Sequence, residues 1–569
     1  MLPSVNFPAL TFLAGAAALV GCDDRVEPAP AQDDQVSAPV GFGGSGFGGS
    51  GGGGFGGGGL KAQTRSSERA GMPPQAARLS QLYRDDPLPV PHAELLDLYA
   101  RTWHPDWSGS LMLHLAPGHY ILDDTSVRGA DPRKRGFHLS AYDMERRIPL
   151  VVYAPGDPSP GPREQPASLE NITATLFDLL EVPRPAGVTA PPLDFPIVES
   201  PKLIAVVVMD ALSYDHWDSY LARQPGFAAL RARGREFTET RLSFMSSSTT
   251  VSHAVLGTGQ TPARTGIPIN HTRTDPGLYE EVFTDDRPDR LLVPTLADLY
   301  DAGRGNRPVV VSFCSQSRAA IAMAGHGRDH GGGDADLVVW QQRHSGPFET
   351  NADFYAPVGW LRQAVDPQAY LDDLEDRSFH IHEIDSLPDL FRSHHNVVLG
   401  ERAMLAMMDH EGVGQDDVTD LVFLNQKVLD NVAHRWGADV EEYRLGLDAL
   451  DAFIPRWIQA LQDRAGDDWL LIVTADHGFG PTLAHPAMSG DARRHERGEL
   501  QEELERSFGS DGGLVFEDIQ YLNVYLDEDR LQGGGYSLAQ VCEDLVRRDW
   551  IVDCLTRPEV ELRQLALLP

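Results

Sequence analysis

Asp430 stands four residues before His434, inside a stretch that begins with the apolar run 421–424. On a helical turn that spacing puts a carboxylate and an imidazole on one face, where both can reach a single metal ion. Taken alone, Asp-x-x-x-His is common by chance. Asp476-His477-Gly478 directly follows another apolar run, 470–474. A strand ending there delivers two ligand side chains onto a turn, and the glycine allows a sharp bend. The plainer reading of that motif is an Asx-type turn with a solvent-facing histidine. A further carboxylate, Asp210, closes the apolar run 203–209. Together these oxygen and nitrogen donors suit zinc or a similar divalent metal. After Asp210 comes the segment 246–270: a run of hydroxyls, an apolar piece, then a loop rich in Gly, Pro and Thr. A hydroxyl is a weak nucleophile near neutral pH, and metal coordination activates it. A nucleophile for this metal site belongs in that segment.

The elements that must position these residues are legible as apolar runs. Strands are expected at 110–115, 148–154, 203–209, 309–311, 421–424 and 470–474, and helices at 91–101, 170–180, 215–231, 295–301 and 440–462. Unbroken apolar strands alternating with helices predict an α/β fold, a mostly parallel central sheet with helices on both faces. Functional residues collect at the carboxyl edge of such a sheet, and three of these strands end at or near the ligand candidates.

Composition narrows the partners. The chain has 569 residues, 41% of them hydrophobic, and a formal net charge of −35. That charge argues against a nucleic-acid-binding surface and suits an exported enzyme whose bound cations offset part of it. Four cysteines make no disulfide scaffold, although Cys542 and Cys554 are close enough to pair in an oxidising compartment. The apolar segment 7–20 ends at Gly21-Cys22 and resembles a bacterial lipobox. Residues 1–21 are then a lipoprotein signal peptide, and Cys22 carries the lipid that anchors the protein at the cell envelope, facing the periplasm or the exterior. Residues 22–78, acidic and then Gly-rich, form a disordered tether. The catalytic domain spans 79–569.

The motifs resemble those of one family. Asp210, Thr249-x-x-x-His253, Gly257-Thr-Gly259, Thr265-Gly-Ile267, Asn270, Asp430-x-x-x-His434 and Asp476-His-Gly478 look like the alkaline phosphatase superfamily. The resemblance is closest to the branch of nucleotide pyrophosphatase/phosphodiesterases and phosphate-irrepressible alkaline phosphatases. It implies an alkaline phosphatase-like fold and a site with two zinc ions. Asp210, Thr249, Asp476 and His477 would hold one zinc, with Thr249 as nucleophile and Thr250 the runner-up. Asp430 and His434 would hold the other, and Asn270 would donate to a phosphoryl oxygen. His253 would be structural.

The family's remaining zinc histidine normally lies near the C-terminus, ahead of a Tyr-Asp pair and a Val-Pro strand. After His477 only His485 and His495 remain, in a different context. The matching stretch is at the other end of the chain, 136–156, where His138 precedes Tyr142-Asp143 and Ile148-Pro149-Leu150. The resemblance thus implies a circular permutation: 79–195 is the family's C-terminal segment placed first, and 200–569 holds the nucleophile and metal-ligand core. His138 is then the missing ligand, and the end of the chain should lie beside residues near 80–105. In the loop 311–321, Arg318 matches the arginine of a phosphate clamp, while Gln316 stands where the phosphatases carry lysine.

The implied function is a metal-dependent phosphoric ester hydrolase acting on small-molecule phosphate esters, a phosphomonoesterase or phosphodiesterase working through a phosphothreonine intermediate. The alternatives are a sulfatase-like or phosphonate hydrolase on the same scaffold, or a non-catalytic surface-binding lipoprotein. The Cys/Ser-x-Pro-x-Arg context of sulfatases is absent around Thr249.

Overall fold

The computed structural model describes residues 89–122, 136–196, 200–275, 278–330, 336–341, 346, 348–480, 494–509 and 515–567. The expected signal segment, Cys22, the tether and His485 lie outside them. Two sheets organise the described residues. Their strands along the chain are β1 (Leu111–Leu115), β2 (Leu150–Tyr153), β3 (Gly161–Arg163), β4 (Leu203–Met209), β5 (Arg235–Phe237) and β6 (Val310–Cys314). Then follow β7 (Leu337–Gln341), β8 (Phe348–Glu349), β9 (Asp420–Gln426), β10 (Trp469–Thr474), β11 (Phe516–Gln520), β12 (Asn523–Leu526) and β13 (Ile551–Thr556).

The larger sheet runs β8-β7-β6-β9-β4-β10-β2-β5-β3. Its middle strands β7, β6, β9, β4 and β10 are all parallel. Every residue of β4, β9 and β10 is buried, which is why these strands read as unbroken apolar runs: helices cover both faces. β2 joins this core antiparallel to β10, with Leu150 opposite Thr474. Its start therefore lies at the carboxyl end of β10, and the chain preceding it arrives at the same edge as Asp210, Asp430 and Asp476.

Six helices matter here: α1 (His92–Thr102), α2 (Leu169–Leu179), α3 (Thr249–Thr258), α4 (Ser317–Ala324), α5 (Val428–Arg435) and α6 (Arg557–Leu567). α2 opens on a capping box between Ser168 and Asn171. All of α3 is buried, packed between α2 and α4. It approaches α4 so closely that a Cβ on Gly257 would stand 2.2 Å from the Ala322 carbonyl oxygen. The expected helix over 215–231 is instead three pieces, Tyr214–Ser219, a short 3-10 turn Leu221–Arg223, and Pro225–Arg233. Pro225 has no N–H to continue a helix and starts the last piece instead.

The smaller sheet runs β11-β12-β1-β13, all antiparallel, and has its own apolar core that includes Leu111, Leu113, Val524 and Ile551. Cys542 and Cys554 form a disulfide that ties helix Leu538–Leu545 to β13. α6 packs on α1. Gln564 Nε2 donates to the carbonyls of Ala100 at 2.9 Å and Trp103 at 2.8 Å, and Arg563 pairs with Asp97. The end of the chain thus lies beside residues 97–103, where the sequence places it.

Candidate active site

Three parallel strands deliver the site at one edge. Asp210 follows β4, Asp430 and His434 sit on α5 after β9, and Asp476 and His477 follow β10. β4 is flanked by β9 and β10, so the three carboxylates meet over its end. Thr249 is the first residue of α3, and its Oγ1 lies 3.5 Å from His477 Nε2. His138 arrives ahead of β2, with Nε2 3.6 Å from Asp430 Oδ1 and its ring 3.9 Å from that of His477. All seven expected ligands therefore converge: Asp210, Thr249, Asp430, His434, Asp476, His477 and His138. His495, the alternative ligand, instead stacks on Trp550 and meets His119 Nδ1 at 2.9 Å.

The chain bends at Asp476, as expected after this strand, and Gly478 also has a packing purpose. A Cβ there would stand 2.2 Å from the Met144 carbonyl oxygen, and the Gly478 N–H donates to the Glu145 carbonyl at 2.7 Å. The turn carrying His477 is thereby locked against the segment carrying His138. Glu145 strengthens the same junction from its side chain, which accepts from the Leu139 and Ser247 groups at 2.6 and 3.1 Å. Leu139 (φ 122°) and Ala211 (φ 67°) sit next to His138 and Asp210 in a backbone region that non-glycine residues avoid, at a cost of about 1–3 kcal/mol each.

The donor set fits divalent metal ions. The ligand atoms of His138, Asp430 and His477 lie within 4.8 Å of one another, as do those of Asp210, Asp476 and His477. In all three imidazoles Nδ1 is turned to a backbone carbonyl: His138 to Ser247 at 2.6 Å, His477 to Gly478 at 2.8 Å and His434 to Gly136 at 3.3 Å. Each Nδ1–H donates, so each Nε2 presents a lone pair to the site. Those lone pairs point at carboxylates, with His434 Nε2 3.3 Å from Asp430 Oδ1 and His477 Nε2 3.5 Å from Asp476 Oδ2. Asp210 Oδ1, Asp430 Oδ1 and Asp476 Oδ2 are buried and accept no hydrogen bond among the described residues. Lone pairs facing lone pairs in a buried site repel unless a cation stands between them.

Electrostatics agree. Burial, then the neighbouring imidazoles, push the His138 pKa well below the usual histidine value, and burial lowers His477 as well; both are neutral imidazoles with a free lone pair to offer at pH 7. Burial, then the charge of Asp476, raises Asp210 to about 6, and burial raises Asp476 to about 6. For Asp430 burial pushes upward, but Lys427 and His434 outweigh it and hold the carboxyl well below the ordinary range.

Lys427 is the residue that sequence reasoning missed. It is 1% exposed and its Nζ donates to Asp210 Oδ2 at 2.7 Å and Thr249 Oγ1 at 2.9 Å, while lying 2.9 Å from Asp430 Oδ2. The available signal was a lysine three residues before Asp430, at the end of a strand with no exposed position. His253 is structural in the described contacts: Nδ1 donates to the Thr249 carbonyl at 2.7 Å, and Nε2 accepts from Asn425 Nδ2 at 2.8 Å. Asn425 also donates to Asp210 Oδ2 at 3.0 Å, so one chain of hydrogen bonds links the first turn of α3 to Asp210. Arg318 lies in the first turn of α4, after β6, the strand beside β9. Its Nε, Gln316 Oε1, Thr250 Oγ1 and Asn270 Oδ1 are buried without a hydrogen-bond partner among the described residues.

The sequence profile of the type I phosphodiesterase / nucleotide pyrophosphatase family matches residues 204–530, more than half of the chain. The chain is 26% identical over 329 residues to alkaline phosphatase PhoK of a Sphingomonas species, covering 49% of this chain and 55% of that protein. It is 26% identical over 325 residues to alkaline phosphatase PhoD of Zymomonas mobilis, covering 49% and 53%. The chain thus spans about half the length of these curated relatives. The crystal structure of wild-type alkaline phosphatase PafA superposes with a TM-score of 0.51 at 19% identity, covering 62% of this chain and 77% of that one, and so shares its fold. Metal-type donors converge on a buried threonine at the carboxyl edge of this sheet, and the chain belongs to the type I phosphodiesterase / nucleotide pyrophosphatase family.

Proposed function

We propose that the protein is a phosphoric ester hydrolase, acting on phosphate mono- or diesters through a phosphothreonine at Thr249 beside two zinc ions. The observation that carries this reading is the common orientation of three imidazoles, each with Nδ1 on a carbonyl and Nε2 aimed at a partnerless carboxylate oxygen. Asp210, Thr249, Asp476 and His477 would hold one zinc, and Asp430, His434 and His138 the other. Bound there, the metals would supply Lewis acidity that favours the Thr249 alkoxide and the departing ester oxygen.

The chain's own residues do the rest. Thr249 opens α3, where the positive end of the helix dipole favours negative charge on its Oγ1. That oxygen gives up its proton to solvent and forms a bond to phosphorus, the ester P–O bond breaks, and the leaving oxygen keeps the electron pair and takes a proton from solvent. Water then attacks phosphorus and loses a proton, the Oγ1–P bond breaks, Oγ1 keeps the electron pair and regains a proton, and phosphate or a phosphomonoester leaves. Asn270 donates to a phosphoryl oxygen and the Arg318 guanidinium pairs with another. Gln316, where the resemblance expects lysine, takes one charge from that clamp, which weakens the hold on a dianionic monoester relative to a diester. Comparing aryl phosphate monoester and diester turnover in wild type and Thr249→Ala tests the reading. Unchanged turnover in the variant overturns it.

Two further expectations belong to this proposal. The Cys542–Cys554 disulfide supports export to an oxidising compartment, with a lipid on Cys22 as the membrane anchor. Labelled fatty acid should enter wild type and not Cys22→Ser. The antiparallel entry of β2 and the meeting of α1 with α6 support a circular permutation of the family's order. A chain reopened between 196 and 200, with 567 joined to 89 by a short linker, should keep the fold and bind zinc. Loss of folding counts against the permutation.

A further inference from the structure

Every buried carboxylate of this site has two oxygens, and they are used differently. Oδ2 of Asp210 and Oδ2 of Asp430 face the Lys427 ammonium at 2.7 and 2.9 Å. Their Oδ1 atoms accept no hydrogen bond among the described residues and face imidazole Nε2 atoms, Asp210 Oδ1 at 3.7 Å from His477 and Asp430 Oδ1 at 3.6 Å from His138. The lysine and the imidazoles therefore claim opposite sides of the same two carboxylates. The third hydrogen-bonding direction of the ammonium is spent on Thr249 Oγ1, at 2.9 Å.

We propose that Lys427 is a third, built-in cation of this centre, bridging Asp210 and Asp430 and donating to the nucleophile from the side that the metals do not use. The inference rests on the reading of Thr249 and its ligands given above. It has three consequences. The ammonium holds the two carboxylates in place before metal arrives, so the metal-free site remains folded around three buried acids. It opposes the entry of further positive charge, so the centre binds metal less tightly than its carboxylates alone would. It also stabilises negative charge on Oγ1 as the oxygen loses its proton, a contribution that a bystander lysine would not make.

The charge and the hydrogen bond are separable. Lys427→Met removes both from nearly the same volume, and Lys427→Gln removes the charge while keeping an N–H donor. Wild type and both variants are purified with zinc, stripped, and titrated with zinc by calorimetry. Both variants should bind zinc roughly tenfold or more tightly, because a unit charge a few ångströms away acts strongly in a poorly screened site. Their metal-free melting temperatures should fall below that of wild type, and zinc should restore them. A variant that folds only with zinc is measured by chelator competition on the loaded protein, where the same tightening is expected. For turnover, kcat should fall in both variants, less in Lys427→Gln, with KM little changed. Zinc affinity that is unchanged or weaker in both variants overturns the inference and leaves the hydrolase reading standing. Absence of zinc binding by wild type overturns both.

Discussion

At the carboxyl edge of the larger sheet, Asp210, Asp430, Asp476 and Lys427 are buried together, Leu139 and Ala211 hold left-handed backbone, and several polar atoms have no hydrogen-bond partner among the described residues. The four-stranded sheet rests mainly on apolar contacts, although His114 on β1 is buried with both ring nitrogens lacking a hydrogen-bond partner among the described residues. Leu111, Leu113 and Leu115 of β1 pack with Val524, Leu526 and Ile551, and a disulfide closes the margin. Both regions are buried, yet only the second is buried in order to be stable. Partnerless charge costs free energy that a metal or a substrate returns on binding, whereas apolar contacts and a covalent link stabilise the fold whether or not a ligand is present. The difference separates what holds this molecule together from what makes it act.

Changes that touch one region and spare the other test that separation. Thr249→Ala should cut phosphate-ester turnover by on the order of 10³-fold or more while leaving the melting temperature unchanged or raised, as relief of a strained polar site tends to do. Steady-state kinetics and thermal melting read the two effects. Chelation should destabilise wild type by about 4 kcal/mol if zinc had been present at roughly 1,000 times its Kd; calorimetry with and without chelator measures it, and an unmoved melting curve argues against metal at the edge. Replacing Cys542 and Cys554 together by serine should cost about 3 kcal/mol, as expected for a short disulfide loop, with turnover per folded molecule unchanged. A parallel loss of turnover would show the two regions to be coupled.

The smallest effect is expected far from the site. Arg235 grips Asp157 with two hydrogen bonds, at 2.9 and 2.7 Å, and the aspartate side chain is 1% exposed. That guanidinium holds the carboxyl below its ordinary range. Because the folded-state value is depressed, the pair's stabilisation is complete above the unfolded value near about 4 and fades as pH falls through the folded value. Asp157→Asn should therefore destabilise by about 2 kcal/mol at neutral pH, and the gap to wild type should close in acid. Denaturant melts at several pH values give this directly.

Much of the architecture was legible in the sequence because it follows from short-range rules. Strand 203–209 was read at its observed bounds, and the helices at 91–101 and 170–180 lie within one residue of theirs, since an apolar run or a helical period is a local property. The helix over 215–231 failed for an equally local reason, a proline whose effect the periodicity hid. Lys427 was invisible for a different one. A lysine after a strand normally reaches solvent, and what buries this one is the meeting of β4, β9 and α3, elements from three separate parts of the chain.

The residue types and spacings by themselves determined the α/β class, the carboxyl edge as the place for chemistry, and a set of metal-type donors with a hydroxyl beside them, because strand burial and ligand chemistry are written in the amino acids. Tertiary structure decided which atoms face one another. It brought His138 from the front of the chain to Asp430 by running β2 antiparallel to β10, turned each Nε2 inward through a carbonyl on the other side of its ring, and set an ammonium between two carboxylates. Most of those choices depend on contacts between distant parts of the chain, His138 with Asp430 and Ser247, His434 with Gly136 and Lys427 with Asp210, and residue types alone do not fix which atoms meet.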